Sequence, residues 1–322
     1  MHPDPPTPTP ADQTSPHTMQ CTEVWGGNEL VERGVIMTGL DAWVFSRPFE
    51  GDEEGGDIHY LSSCSTGRIT RALIADVSGH GAVVAGTAKR LRSLMRRYIN
   101  YVNQSRLVEA MNKEFAGLAQ AGHFATALVA TFWGPSREIE VTNAGHPPPL
   151  LYRARTGRWE PMRGVRQEGD GLGDIPLGID DVTTYSRMRM KLERGDLLLF
   201  YTDALIEANG PKGGMLGTEG LIGLLAQINA NEPDKLIARL VGTVEAAGGG
   251  ATLGDDTTLM LLRLNDLRST SSLAEGMKAA GRVAMEFFRS LKPGADPIPW
   301  PELRLDNLGG IWSKRFYRKG ER

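Results

Sequence analysis

Four aspartates stand where a chain could do metal chemistry. Asp57 follows Gly55-Gly56, Asp76 ends an apolar run before Val77-Ser78-Gly79, Asp203 ends Leu197–Thr202 before Ala204, and Asp255 follows Gly254. Any one of them alone reads as a turn former beside glycine, where aspartate is common. Four in this order, each at a strand end beside small residues, read differently. If the last two strands run antiparallel, the end of one and the start of the other share a sheet edge. Carboxylates gathered there repel one another unless cations lie between them. Oxygen-only donors select hard cations such as Mg²⁺ or Mn²⁺, and small neighbours leave room for water on the metal. Two such ions about 4 Å apart lower the pKa of a shared water and clamp a phosphoryl group for in-line attack.

Other chemistries fit less well. Ser78 lies in Val-Ser-Gly-His-Gly, but a nucleophile elbow needs glycine two places before the serine, and that place is Asp76. His80 and His146 sit in Gly-bounded turns without ligand spacing to one another, which suits loop-structuring roles. No Gly-x4-Gly-Lys-Ser/Thr phosphate loop occurs.

The elements that must position the aspartates are mostly strands. Ile58–Ser62 and Arg68–Asp76 flank Thr66-Gly67. A two-residue turn there sets Asp57 directly opposite Asp76, side chains about 5 Å apart on one face. A helix from Ala82 to Val102 follows, with Val84, Ala88, Leu91, Met95 and Tyr98 at 3–4 spacing, and a second covers Leu107–Leu118 with Ser105 as N-cap. Further strands are expected at Phe124–Phe132, Arg137–Asn143, Leu150–Arg153, Thr183–Leu192, Asp196–Thr202 and Thr257–Leu264, and helices at Gly220–Ile228 and Pro233–Ala246. Crossovers are few, so the expectation is an α+β fold of mainly antiparallel sheets covered by helices.

The ends differ from this middle. Residues 1–20 carry six prolines among Thr, Asp and Ser and read as a disordered tail. Residues 22–264 read as one globular domain. Residues 265–322 hold a helix opened by a Ser272/Glu275 capping box, ended by Pro293, and then a basic tail. The first long helix carries Lys89, Arg90, Arg92, Arg96 and Arg97, a solvated face or a docking surface for an acidic partner.

Composition narrows the class. With 36 basic against 39 acidic side chains the net charge is −3, which speaks against nucleic-acid or anionic-membrane binding. Two cysteines are too few for a disulfide framework or a four-cysteine zinc site, and fit a reducing compartment such as the cytoplasm. No apolar run approaches the roughly 18–20 residues of a transmembrane span, and no secretory signal is present.

As an ordered set the blocks resemble a known family. Gly55-Gly56-Asp57, Ala75-Asp76-Val77-Ser78-Gly79-His80-Gly81, Asn143-Ala144-Gly145-His146-Pro147-Pro148-Pro149-Leu150, Pro176-Leu177-Gly178, Tyr201-Thr202-Asp203 and Gly254-Asp255-Asp256-Thr257-Thr258 are similar to the SpoIIE/RsbU-like branch of the metal-dependent PPM protein phosphatases. The resemblance covers roughly residues 40–264. It implies a four-layer α-β-β-α sandwich with two Mn²⁺ or Mg²⁺ ions at one sheet edge, and hydrolysis of phosphoserine or phosphothreonine without a phosphoenzyme. By motif position Asp57 and Asp76 are ligands, Asp76 bridging, the Val77 carbonyl adds to one ion, and Asp203 and Asp255 complete the other. Asp256 is placed to orient Asp255. Ser78, Gly79 and His80 lie close to the substrate, and Arg47 is the candidate for holding phosphate. The family's commonest substrate is a phosphorylated anti-sigma-factor antagonist. Regulation is expected from a separate protein, on the helix 82–102 or on the C-terminal segment. Where the family usually has Thr-Asp-Gly, this chain has Thr202-Asp203-Ala204, and alanine disfavours positive φ. That departure, with the lack in this branch of the eukaryotic phosphate-holding arginine, keeps open a pseudophosphatase used as a binding module; a phosphatase for a small phosphorylated metabolite is a second alternative.

Overall fold

The computed structural model describes residues 15–19, 23–49, 52–64, 67–79, 82–98, 101, 103–118, 123–162, 175–211, 213–250 and 252–267. The tail before Ser15, His80, and the expected C-terminal helix and basic tail lie outside the described residues. In chain order the elements are β1 (His17–Thr18), β2 (Val24–Gly27), β3 (Val31–Met37), β4 (Leu40–Arg47), β5 (Asp57–Ser63), β6 (Ile69–Val77), α1 (Ala82–Arg97), α2 (Gln104–Leu118), β7 (Ala125–Trp133), β8 (Glu138–Ala144), β9 (Leu150–Arg153), β10 (Arg158–Pro161), β11 (Met188–Lys191), β12 (Leu197–Tyr201), α3 (Ala204–Glu207), α4 (Gly217–Leu225), α5 (Pro233–Ala247) and β13 (Thr257–Leu264).

Two sheets form, one of seven strands in the order β1-β3-β4-β13-β12-β9-β10 and one of six in the order β11-β8-β7-β6-β5-β2. Every pairing is antiparallel except the short β1–β3 contact. The period-two alternation of side chains decides the layers. On β12, Leu198 and Phe200 enter the core between the sheets, where they meet Ile74 and Leu128 of the facing sheet. Leu197, Leu199 and Tyr201 of the same strand face outward onto α4 and α5 through Leu221, Leu236 and Leu240. On β6, Ala72 and Ile74 point into the inter-sheet core, while Leu73, Ala75 and Val77 pack under α1 and α2 against Val84, Leu91 and Phe115. Strands apolar on both faces need helices on both outer surfaces, and the result is the α-β-β-α sandwich.

Some boundaries differ from the sequence expectation. Helix α1 ends at Arg97 rather than Val102, because Tyr101 N–H turns back onto the Tyr98 carbonyl at 2.9 Å and the two rings meet edge to face at 5.2 Å. Helix α2 begins at Gln104, capped by the Asn103 side chain, which accepts the Arg106 N–H at 3.1 Å; Ser105 lies inside the helix. Of Thr183–Leu192 only Met188–Lys191 is a strand, since the Asp180 carboxylate draws the Val182 N–H and the Thr183 hydroxyl into a turn. No helix among the described residues is long and apolar enough to cross a membrane.

Candidate metal centre

The β5–β6 register pairs Asp57 with Asp76, as the short connection requires. Alternation sends both inward: Asp76 shares parity with Ala72 and Ile74, and Asp57 with Leu61, all members of the inter-sheet core. At the same end of the facing sheet β12 ends at Tyr201, Asp203 stands just before α3, and Asp255 lies just before β13. The β12–β13 pairing is antiparallel, with Tyr201 opposite Leu259, so Asp203 and Asp255 come to one edge.

Between these strand ends lies a buried polar layer. The Ser46 and Thr258 hydroxyls are 2.9 Å apart, and Thr258 N–H donates to Thr202 Oγ1 at 2.9 Å. The Thr202 hydroxyl then donates across the sandwich to Asp57 Oδ2 at 2.8 Å. Thr202 is fully buried, so this charge-assisted bond both satisfies the hydroxyl and holds the carboxylate in place.

The carboxylates influence one another strongly. Burial, and then the charge on Asp76, pushes Asp57 well above the usual aspartate range, against the opposing bond from Thr202. Burial and then the charges of Asp203, Asp255, Asp256 and Glu207 push Asp76 up to about 7. Asp203 is raised by burial, Glu207 and Asp255. Such mutual repulsion is what a cation offsets. Among the described residues, no three Asp, Glu, His or Cys side chains close tightly enough on one point to enclose an ion as they stand. The donor set and the clearance nevertheless suit hard cations. All donors are oxygens, and a Cβ on Gly56 would lie 3.0 Å from the Val77 carbonyl oxygen and 2.8 Å from Val84 Cγ1. Glycine alone keeps that carbonyl open.

Asp256 makes contacts in two directions. Its carboxylate accepts the Phe49 N–H at 2.7 Å and the Gly56 N–H at 2.5 Å, pinning the segment that leads into Asp57, while Asp255 Oδ1 accepts the Asp256 N–H at 2.8 Å. A Cβ on Gly55 would stand 2.6 Å from that Asp256 carboxylate, which accounts for the Gly55-Gly56 pair. Ser78 Oγ accepts the Phe124 N–H at 3.0 Å, a loop-fastening contact, and Gly79 takes φ +106° against Val84.

Arg47 faces the helix layer. It follows the outward parity of Trp43 and Phe45, which pack with the α5 layer, and its guanidinium meets Glu245 of α5 at 2.6 Å. It lies on the helix side of the sheet, and its partner Glu245 lines a pocket with Glu207 and Asp255. The alanine after Asp203 is unstrained: Ala204 opens α3, and Arg137 is the sole non-glycine with positive φ among the described residues. The basic face of α1 is partly engaged within the molecule. Lys89 pairs with Glu54 at 2.6 Å, Arg92 donates to the Gly26 carbonyl at 2.7 Å, and Arg97 pairs with Glu114.

The motif reading assigns no role to two residues at this edge. Thr202 could have been found from its parity with Leu198 and Phe200. Glu207 lies one helical turn after Asp203, a spacing that matters only once α3 is known.

Comparison with known proteins agrees with this architecture. The family model described as Stage II sporulation protein E matches residues 66–265. Among solved structures, the RsbU and RsbW domains of a Mycobacterium tuberculosis protein superpose with a TM-score of 0.60 at 25% identity, covering 81% of this chain and 72% of that one. The PP2C phosphatase domain with a regulatory fragment of SpoIIE from Bacillus subtilis gives 0.56 at 16% identity, covering 76% of this chain and 64% of that one. The catalytic domain of the serine/threonine phosphatase PstP, solved with two manganese ions, gives 0.51 at 17% identity, covering 71% of this chain and all of that one.

Proposed function

Because the chain belongs to the Stage II sporulation protein E family, we propose that it is a metal-dependent protein serine/threonine phosphatase acting on a phosphorylated signalling protein. The observation that carries this is the pairing of Asp57 with Asp76 on one sheet, within electrostatic reach of Asp203 and Asp255 from the other. Asp57, Asp76, the Val77 carbonyl, Asp203 and Asp255 would hold two divalent ions, Mn²⁺ or Mg²⁺. When bound, the ions supply Lewis-acid charge for the phosphoryl group and lower the pKa of water. The protein's own share is placement. Thr202 orients Asp57, Asp256 fastens the Phe49–Gly56 segment, and Gly56 keeps the Val77 carbonyl clear.

The substrate class follows from kinship. The related Mycobacterium tuberculosis chain carries an RsbU domain together with an RsbW domain, which supports a phosphorylated anti-sigma-factor antagonist as the substrate here. The cytoplasm is the fitting location for such a partner and for a chain with two cysteines. Expected in assay is p-nitrophenyl phosphate hydrolysis that requires Mn²⁺ or Mg²⁺ and stops with EDTA, with phosphoproteins preferred over phosphorylated metabolites. Metal-independent turnover would refute the mechanism. Tight partner binding without turnover would mark a binding module, and a preference for small phosphates a metabolite enzyme.

Arg47 gives a second check. Its partly buried pair with Glu245 is worth at most about 1 kcal/mol, and its guanidinium is already engaged there. Arg47→Ala is expected to change kcat/KM by less than about threefold. A tenfold or larger loss would return Arg47 to the phosphate.

A further inference from the structure

The aspartates come from two sheets, and something must set the distance between them. At the end of β8 the Asn143 amide grips the His146 backbone twice, donating to its carbonyl and accepting its N–H, both at 2.8 Å. Gly145 makes the turn at φ +69°, with Pro176 packed where a Cβ would go. The His146 ring is thereby delivered into the gap between the sheets, buried. Its Nδ1 lies 2.8 Å from Thr126 Oγ1 and its Nε2 lies 3.0 Å from the Tyr201 carbonyl oxygen.

Both contacts lead to carboxylates. Thr126 is the cross-strand partner of Asp76 in the β6–β7 ladder. Tyr201 is the last residue of β12, two places before Asp203. The carbonyl can only accept, so Nε2 carries the proton and Nδ1 accepts from the threonine hydroxyl, which defines one neutral tautomer. A rigid ring with an acceptor at one end and a donor at the other spans the sandwich. Together with the Thr202–Asp57 bond it is a second polar tie across the sheets.

We infer that His146 is a positioning residue that fixes the gap between Asp76 on one sheet and Asp203 on the other, and so sets the affinity for divalent cations. This rests on the function proposed above, in which those carboxylates hold the ions. Partners that orient metal ligands typically govern 10–100-fold in affinity.

The test is calorimetric Mn²⁺ binding, with amide exchange followed in EDTA. His146→Ala is expected to weaken Mn²⁺ binding about tenfold or more and to speed exchange at Thr202–Leu205 without metal. His146→Gln retains an N–H for the Tyr201 carbonyl and recovers most of the affinity. Thr126→Val, which removes the hydroxyl, weakens binding, while Thr126→Ser does not; this pair decides the matter if His146→Ala does not fold. A His146 variant that melts lower yet binds Mn²⁺ like the wild type would overturn the inference and leave His146 a purely structural residue. Wild-type protein that binds no Mn²⁺, or Asp76→Asn that binds it unchanged, would instead refute the metal centre, and the inference with it.

Discussion

Asp76→Asn is expected to lower Mn²⁺-dependent turnover about 10³-fold, roughly 4 kcal/mol for loss of the carboxylate proposed to be shared by two ions, and at the same time to stabilise the metal-free protein at pH 8. The two effects have one origin. Asp76 faces Asp57 across the ladder and feels Asp203, Asp255, Asp256 and Glu207. In the folded chain its pKa is raised from 3.8 to about 7. A carboxyl with a raised folded pKa binds more protons folded than unfolded between those values. Its contribution to stability is fully present below the unfolded value and is lost as pH rises through about 7. In EDTA the advantage of Asp76→Asn therefore opens between about pH 4 and 7 and levels off above that window. With Mn²⁺ the order is expected to reverse, because an ion held by the carboxylates as proposed stabilises the wild type by mass action. Thermal melts at pH 5 and pH 8, with and without Mn²⁺, show this directly. A variant less stable than wild type in EDTA at pH 8 would refute it.

Gly26→Ala is expected to cost about 3 kcal/mol, from strain at a special backbone position and a clash that no side chain can relieve. Gly26 holds φ +145°, and an added Cβ would sit 2.2 Å from the His59 carbonyl oxygen and 2.8 Å from Tyr60 Cα. Both obstacles are backbone of β5, the strand that opens with Asp57, so β2 must part from it. The Gly26 carbonyl also receives Arg92 from α1, which adds to what is lost. Gly86→Ala is the matched control. On α1, nothing lies within 4 Å of the place a Cβ on Gly86 would take, and alanine there gains about 0.8–1 kcal/mol of helix propensity. Urea titrations are expected to move the midpoints in opposite directions with unchanged slopes. A Gly26→Ala loss under about 1 kcal/mol would mean that the β2–β5 pairing is not rigid.

What the sequence discloses here is local. The Asp57–Asp76 register follows from a short connection, and the layers follow from alternation in runs such as Leu197–Tyr201. What it conceals depends on partners distant along the chain. The hydroxyl that holds Asp57 comes from Thr202, 145 residues away. Arg47 sits at a strand end, where the facing direction is settled only by which neighbours enter which core, and Glu245 of α5 then claims it. Glycines at 26, 27, 34 and 39 break the alternation that would otherwise announce β2 to β4. Helix α3 has four residues, too few for a helical period to register, so Glu207 gives no signal of its own. The basic stripe of α1 is legible as charge, but its engagement with Glu54, Gly26 and Glu114 is tertiary.

The place of β13 has a further consequence for how the protein comes into being. The last strand among the described residues is not an edge; it lies between β4 and β12 in the seven-stranded sheet, with Thr257 opposite Arg47. The β5–β6, β6–β7 and β7–β8 ladders join consecutive strands and can zip up early, whereas the β4–β13 ladder closes a loop of about two hundred residues and must come late. During synthesis, Asp57 and Asp76 can be in register while the facing sheet still lacks the strand that joins β4 to β12. The proposed activity is therefore expected to be absent from a nascent chain until residue 264 has left the ribosome, and to appear when β13 inserts between β4 and β12.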